Sequence, residues 1–141
     1  MVSKTPGLYI HIPFCLSKCS YCDFYSSTSI SVLPFFLEAL FKEMEMSRNE
    51  FNSFDTVYIG GGTPSLLSSQ QLESIVVSIR KNFGLLPDAE ITLETNPADL
   101  NRSYLESILE TGINRINIGV QSFDQEQLRF LGRRHSLRQA L

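Results

Sequence analysis

A repeated pattern of short apolar run, loop and helix constrains the fold of this chain more than any other feature. Four apolar runs with strand-like composition occur at Leu8–Pro13, Thr56–Gly60, Glu90–Glu94 and Arg115–Val120. Each is followed by apolar residues spaced by three and four, which predicts helices over Val32–Arg48, Gln70–Phe83, Asn101–Thr111 and Gln125–Leu131. Gly112 stands where a helix C-cap is expected, and His135–Leu141 looks like the start of another helix. Strands alternating with helices predict an α/β fold with a parallel sheet.

Unusual residues follow every predicted strand. Right-handed crossovers place the carboxyl ends of parallel strands at one edge of the sheet, where ligands of such folds bind. We therefore expect one ligand site at that edge, formed by a cysteine cluster, Gly60–Pro64, Glu94–Pro97 and Gln121–Phe123.

Four strand–helix units are too few to close a barrel, because a full eight-unit barrel needs about 250 residues. The chain has 141 residues. We expect residues 1–141 to be the N-terminal part of a longer protein, folded as an incomplete parallel (β/α) barrel with an exposed edge after its fourth strand.

Charge and hydropathy exclude several classes of protein. The formal net charge is −3, so the basic surface of a nucleic-acid-binding protein is absent. There is no apolar run of about 20 residues for crossing a bilayer and no signal-peptide apolar region. A reducing, cytoplasmic setting is expected.

The three cysteines, Cys15, Cys19 and Cys22, lie within eight residues in a C-x3-C-x2-C spacing. An odd number packed this closely is not a disulfide framework. Structural zinc and common iron–sulfur sites take four protein ligands, so three thiolates leave one metal position open for a ligand. Structural zinc completed by His11 or Asp23, and thiols with no metal, are the alternatives.

The spacing resembles the C-x3-C-x-aromatic-C motif of the radical S-adenosylmethionine (SAM) enzymes. Further motifs, in family order, resemble the oxygen-independent coproporphyrinogen III oxidase group, and its HemW-type branch best. They are Tyr9-Ile-His-Ile-Pro-Phe-Cys15, Tyr21-Cys-Asp-Phe24, Gly60-Gly-Gly-Thr-Pro-Ser65, Glu90-Ile-Thr-Leu-Glu-Thr-Asn-Pro97, Gly119-Val-Gln-Ser-Phe123 and Leu131-Gly-Arg-Arg-His-Ser136.

This resemblance implies a six-unit, three-quarter barrel of which the chain supplies about four units. It also implies that Cys15, Cys19 and Cys22 bind three irons of a [4Fe-4S] cluster. The fourth iron would chelate the methionine part of SAM, which one electron from the cluster cleaves to a 5′-deoxyadenosyl radical.

The same resemblance assigns contacts to SAM. Three glycines in a row let backbone approach a ligand closely, and Gly61, Gly62 and Thr63 would serve the amino group of SAM; no Lys-Ser/Thr follows, so this is not a P-loop. The other implied contacts are Glu94 with the ribose hydroxyls, Gln121 with polar atoms, Arg133 with a carboxylate, Tyr9 on the carboxylate side and Tyr21 at the adenine.

Phe24 favours the HemW-type branch, because the porphyrinogen-oxidising branch carries a further cysteine at that place. HemW-type proteins are regarded as chaperones that insert haem into haem-dependent enzymes, so the implied partners are SAM, haem or a porphyrinogen, haem-accepting enzymes and an electron donor. Whether the chain is an enzyme stays open. The alternatives are an anaerobic coproporphyrinogen III dehydrogenase, a non-catalytic binding module in which a metal staples a loop, and an inactive truncated fragment.

Overall fold

Four parallel strands form one sheet in the computed structural model, which describes residues 5–48, 50–51 and 53–141. The strands are β1 (Gly7–Ile12), β2 (Phe54–Gly61), β3 (Leu85–Thr95) and β4 (Arg115–Ile118), and they lie in chain order. This arrangement confirms the expected α/β fold and is consistent with a partial barrel.

Five α-helices occur in the described ranges. They are α1 (Leu33–Met46), α2 (Ser69–Asn82), α3 (Arg102–Glu110), α4 (Gln125–Phe130) and α5 (Leu137–Ala140). Short 3-10 turns precede α1, α2 and α3 at Ile30–Val32, Pro64–Leu66 and Pro97–Asp99. All predicted helices are therefore present, with ends that differ by at most two residues.

Local sequence signals set several helix ends. Ser68 and Gln71 form a reciprocal capping box at the start of α2. The Asn101 side chain accepts a hydrogen bond from Tyr104 N and caps α3. Gly112 follows α3 with φ +94°, a conformation that favours glycine, as predicted for a C-cap.

The core lies between the sheet and the first three helices. Ile12, Ile59 and Leu93, from three adjacent strands, are completely buried. The apolar stripe of α2 packs against them, with Leu72, Ile75 and Ile79 also completely buried. Because this core involves β1, β2 and β3, it holds their carboxyl ends in fixed positions.

Strand β3 is longer than its apolar run predicts. It begins at Leu85 instead of Glu90, and the pairing with β2 is irregular between Phe54↔Leu85 and Thr56↔Glu90. Pro87 lies in this irregular stretch, where a missing backbone N–H is tolerated. Pro87 and Asp88 interrupt the apolar run, which explains why a hydrophobic pattern does not reveal this extension.

Strand β4 is the shortest of the four strands, and most of its residues are exposed to solvent. Arg115, Asn117 and Ile118 are exposed, and β4 forms an edge of the described sheet opposite β1. Among the helices of the described part, none combines the length and the apolar character needed to cross a membrane.

Candidate cofactor site

The loops after all four strands converge, as predicted, on one cleft at the carboxyl edge of the sheet. This main cleft has a volume of about 390 Å³, within the usual range for small-molecule sites. Seven of the eight predicted SAM contacts line it, namely Tyr21, Gly61, Gly62, Thr63, Glu94, Gln121 and Arg133.

A smaller cleft of about 50 Å³ adjoins the main cleft and is lined by all three cysteines. We call it the cysteine cleft. Cys15 is buried, whereas Cys19 and Cys22 are partly exposed. The loop turns tightly between the last two, since Cys22 N donates to Cys19 O at 3.1 Å. The two clefts are contiguous, because six residues line both: Tyr21, Cys22, Gly62, Thr63, Asn96 and Arg133.

Two cysteine sulfurs receive hydrogen bonds from side chains that are distant in sequence. Thr63 Oγ1 donates to Cys15 Sγ at 3.4 Å, and Arg133 Nη1 lies 3.5 Å from Cys19 Sγ. Donors around sulfur stabilise the thiolate form that binds metal. Thr63 belongs to Gly60–Pro64, which we call the glycine loop, and Arg133 lies in the segment after α4. Both segments therefore surround the cysteines.

His11, one of the two residues considered as a fourth zinc ligand, is engaged within the protein. His11 contacts Tyr9 Oη through Nδ1 at 3.0 Å and donates from Nε2 to Tyr25 O at 3.1 Å, so both ring nitrogens are engaged. Across residues 5–48, 50–51 and 53–141, no three His, Cys, Asp or Glu side chains are gathered closely enough to hold a single ion. A four-iron cluster binds each thiolate through a different iron, so it tolerates more widely spaced sulfurs.

The glycine loop packs against the start of the cysteine loop. Gly62 N donates to Ile12 O at 2.9 Å, and Thr63 N donates to Phe14 O at 2.7 Å. A Cβ atom on Gly62 would lie 2.6 Å from Phe14 O, so only glycine permits this approach. Gly61 N donates to Glu94 Oε2 at 3.0 Å. Because these three N–H groups are used inside the protein, the loop is not a cradle for an anion such as phosphate.

Glu94 is fixed by a short hydrogen-bond chain at the end of β3. Asn117 Nδ2 donates to Tyr58 Oη at 2.8 Å, and Tyr58 Oη donates to Glu94 Oε1 at 2.7 Å. Partial burial and the Glu94 carboxylate raise the pKa of Tyr58 above its usual value, so the phenol stays protonated and remains a donor. Each Glu94 oxygen keeps a lone pair for a ligand hydroxyl.

Gln121 adopts a strained backbone conformation at the mouth of the main cleft. Its φ is +70°, and it is the one non-glycine residue with positive φ in the described ranges. Such strain costs about 1–3 kcal/mol and is concentrated at functional sites.

Arg133 joins the two clefts. Its Nη2 donates to Gly119 O at 2.6 Å and its Nη1 approaches Tyr21 Oη at 3.3 Å. Its Nε is buried without a hydrogen-bond partner in the described structure. An unpartnered buried donor is costly for a folded protein, which indicates that a ligand group belongs beside it.

Tyr9, the remaining predicted contact, lies away from the main cleft. Its ring stacks on Tyr58 with a centroid separation of 6.1 Å, and it lines a separate, mostly apolar cleft beside β1 and α1. Tyr9 does not line the main cleft. It contacts Tyr58, which in turn donates a hydrogen bond to Glu94 in that cleft.

Several residues of the site carry no recognisable spacing in the sequence. Tyr58 and Asn117 orient Glu94. Asn96, which lines both clefts, belongs to the predicted segment Glu94–Pro97. Arg134 Nη2 contacts both Asp99 oxygens at 2.8 and 2.9 Å, which ties the segment after α4 to the turn after β3. His135 is 2% exposed. The match of Leu131–Ser136 to a family motif was the available signal for Arg134 and His135.

The family model for the radical SAM superfamily matches residues 9–141. The chain belongs to the radical SAM superfamily. Radical SAM proteins bind a [4Fe-4S] cluster and SAM, so membership implies both cofactors. The three thiol donors in one cleft, the contiguous main cleft and the unpartnered Arg133 Nε fit this pair of ligands.

Individual radical SAM relatives extend the comparison. The chain is 39% identical over 96% of its length to "Heme chaperone HemW" of Buchnera aphidicola (Schizaphis graminum strain) and 39% identical over 99% to "Heme chaperone HemW" of Escherichia coli. It spans 37% and 38% of these two curated relatives. The solved structure of coproporphyrinogen III oxidase (HemN) from Escherichia coli superposes with a TM-score of 0.87 at 30% identity, over 97% of this chain and 33% of that one.

Proposed function

We propose that this chain is the N-terminal, cofactor-binding part of a HemW-type haem chaperone. One observation carries the proposal: all three cysteines line a cleft that opens into a larger one bearing Glu94, Gln121 and Arg133. Loops from four strands contribute to this arrangement, so the ligand-binding edge is formed by the fold and not by one motif alone.

Each predicted residue has a proposed role. Cys15, Cys19 and Cys22 hold the cluster, and Glu94 accepts the ribose hydroxyls of SAM. Gly61 and Gly62 allow close approach of the methionine part, and Thr63 lies beside it. Arg133 and Gln121 take polar groups of the ligand, and Tyr21 packs near the adenine. Tyr9 acts through Tyr58, because Tyr9 does not line the cleft. When bound and reduced, the cluster supplies the single electron that cleaves the sulfonium.

The chaperone role, in preference to an oxidase, is supported by two observations. Relatives named as haem chaperones match nearly the whole chain at 39% identity. Phe24 occupies the place where the porphyrinogen-oxidising branch has a further cysteine, and its side chain is 66% exposed and lines the main cleft. The cargo is proposed to be haem and the partners haem-accepting enzymes and a one-electron donor, in the cytoplasm.

A coproporphyrinogen III oxidase is the second candidate. The likeness to the solved HemN structure favours it. Both candidates use the same cluster and the same SAM cleft, so they differ in what the whole protein does with a tetrapyrrole.

Anaerobic reconstitution with iron and sulfide tests the cofactor site. We expect a brown protein with about four irons and four sulfides, a charge-transfer shoulder that fades with dithionite, and an EPR signal that changes when SAM is added. A colourless protein with one zinc per chain would contradict the proposal and favour the metal-stapled module.

Full-length protein separates chaperone from oxidase. We expect tight binding of haem and its transfer to a haem-free acceptor enzyme, with no consumption of coproporphyrinogen III in the presence of SAM and reductant. Consumption of the porphyrinogen without haem transfer would establish the oxidase. Release of 5′-deoxyadenosine from SAM distinguishes a working cluster from a purely structural one.

A further inference from the structure

The hydroxyl of Thr63 donates a hydrogen bond to a cysteine sulfur and is not free to bind a ligand in the main cleft. Thr63 is 9% exposed, and all its polar groups have partners inside the protein. Its N–H donates to Phe14 O at 2.7 Å, its carbonyl accepts from Leu66 N at 3.1 Å, and its hydroxyl donates to Cys15 Sγ at 3.4 Å. We propose that Thr63 is a positioning residue that holds the Cys15 sulfur and raises the reduction potential of the cluster. This inference rests on the cluster assigned under the proposed function.

Cys15 differs from the other two cysteines in its surroundings. It is 9% exposed and belongs to the buried set, whereas Cys19 and Cys22 are partly open to solvent. A buried thiolate needs a hydrogen-bond donor in place of water. The Thr63 hydroxyl is the single side-chain donor found on Cys15 Sγ among the residues that the structure describes.

The backbone fixes the hydroxyl in place. Two hydrogen bonds, Gly62 N to Ile12 O and Thr63 N to Phe14 O, join the glycine loop to the segment that leads into Cys15. The 3-10 turn at Pro64–Leu66 follows at once and restrains the loop from the other side. Because threonine is β-branched, its side chain has few rotamers in such a setting. The donor is therefore preorganised before any cluster binds.

A donor of this kind has a predictable electronic effect. Reduction adds one electron to the cluster and increases negative charge on its sulfur ligands. A hydrogen bond to a ligating sulfur therefore stabilises the reduced form more than the oxidised form, which is one way in which proteins set iron–sulfur potentials. Loss of the Thr63 hydroxyl should disfavour reduction by the low-potential one-electron donor.

Redox titration of reconstituted, full-length protein with dithionite and mediators, followed by EPR, tests this inference. Thr63→Val keeps the shape of the side chain and removes the hydroxyl, so we expect the equilibrium for one-electron reduction to fall about tenfold, a shift of about 59 mV to lower potential. Thr63→Ser keeps the hydroxyl and should restore the wild-type potential. Thr92→Val is the matched control, because this buried hydroxyl donates to Glu90 Oε1 and not to sulfur.

The outcomes separate this inference from the proposed function. If the wild type takes up no cluster, the proposed function fails. If the wild type takes up the cluster but Thr63→Val has the wild-type potential, the inference alone is overturned. Should Thr63→Val not assemble a cluster, Thr63→Ala replaces it in the same titration, with the same potential shift expected. Loss of the cluster in both hydroxyl-free variants but not in Thr63→Ser supports the inference.

Discussion

At the scale of single residues, Tyr58 controls the orientation of Glu94. Its phenol stands between Asn117 and the Glu94 carboxylate, with hydrogen bonds of 2.8 and 2.7 Å. Tyr58→Phe keeps the ring and removes one of the two hydrogen bonds that hold the Glu94 carboxylate, the proposed acceptor of the ribose hydroxyls; the one from Gly61 N remains. Since a hydrogen bond to a charged group contributes about 1.5–3 kcal/mol, we expect SAM to bind about tenfold more weakly, measured by anaerobic calorimetry on cluster-loaded protein.

Tyr104→Phe is the matched control for this prediction. The Tyr104 hydroxyl donates to Leu67 O at 3.0 Å, outside both clefts, and burial together with Asp99 raises the pKa of this phenol to about 12. Its loss should lower stability without changing the affinity for SAM. Equal SAM affinity in wild type and Tyr58→Phe would show that Glu94 does not need this orientation.

The buried side chain of His135 should make the free energy of unfolding depend on pH. Burial, and secondly the Arg133 guanidinium, lower the pKa of His135 below its usual value. The unfolded chain therefore binds this proton more readily than the folded protein, so the free energy of unfolding decreases as pH falls below about 6.5 toward the lower folded pKa. His135→Leu removes this component, and denaturant unfolding at several pH values should show a shallower decrease between about pH 7 and 5. An unchanged slope would contradict this assignment.

Individual polar residues show where prediction from the sequence ends. The cysteines and the glycine loop were predicted because their spacing is unusual, and seven predicted contacts do line one cleft. Tyr58 and Asn117 were assigned no role, because a lone polar residue within an apolar segment carries no periodic signal. His135 was assigned none because it lies among other polar residues, Arg133, Arg134 and Ser136. Tyr9 was predicted to contact SAM because it matches a family motif. The pairing of β1 with β2 instead sets Tyr9 beside Tyr58, outside the main cleft.

At the scale of elements, the glycine loop is a packing device between β1 and β2. A Cβ on Gly62 would meet Phe14 backbone atoms at 2.6–3.0 Å, and backbone cannot move aside as a flexible side chain can. We expect Gly62→Ala to lower the free energy of unfolding by about 1–3 kcal/mol, measured by denaturant titration. At Gly119 the nearest atoms lie at 3.4–3.5 Å, so Gly119→Ala should change stability by less than about 1 kcal/mol. Equal effects at both positions would refute the packing role.

The Arg134–Asp99 pair joins two loops of the same edge. The side chains are 22% and 11% exposed, and Ser65 Oγ donates to the same carboxylate at 2.7 Å. Arg134→Met leaves a mostly buried carboxylate without its cation, which should cost about 2 kcal/mol of unfolding free energy. The exposed pair Arg102–Glu106 is the control, because Arg102→Met should cost less than about 0.5 kcal/mol. Similar losses in the two variants would remove any special role for Arg134.

Elements differ in how well their sequences predict them. Helix α2 was placed within one residue from its apolar stripe, and the structure shows a capping box at its start. Strand β3 begins five residues before its predicted start, because its first residues pair with β2 through an irregular segment that includes Pro87 and Asp88. Propensity describes an isolated segment, whereas pairing with β2 is a tertiary effect.

At the scale of the whole molecule, the hydrophobic core and the proposed cofactor site lie in different regions. The core comprises β1, β2 and β3 with the helices that cover them, whereas Cys19 and Cys22 lie on a loop and are partly exposed. This division is typical of α/β folds, in which a rigid scaffold presents variable loops at one edge. It also explains why the overall fold could be predicted from periodicity alone, while the contacts between loops could not.

This division predicts the behaviour of a cluster-free protein. In Cys19→Ala one sulfur donor is lost and the Arg133 guanidinium loses its sulfur partner, but no core contact changes. We expect the variant to retain less than about a tenth of the wild-type iron after reconstitution, with far-ultraviolet circular dichroism and an unfolding midpoint close to those of the cluster-free wild type. Ser20→Ala, in the same loop, should load iron normally. Global unfolding of Cys19→Ala would mean that metal binding and folding are one event, as in structural zinc domains, and would reassign the cysteines to a structural role.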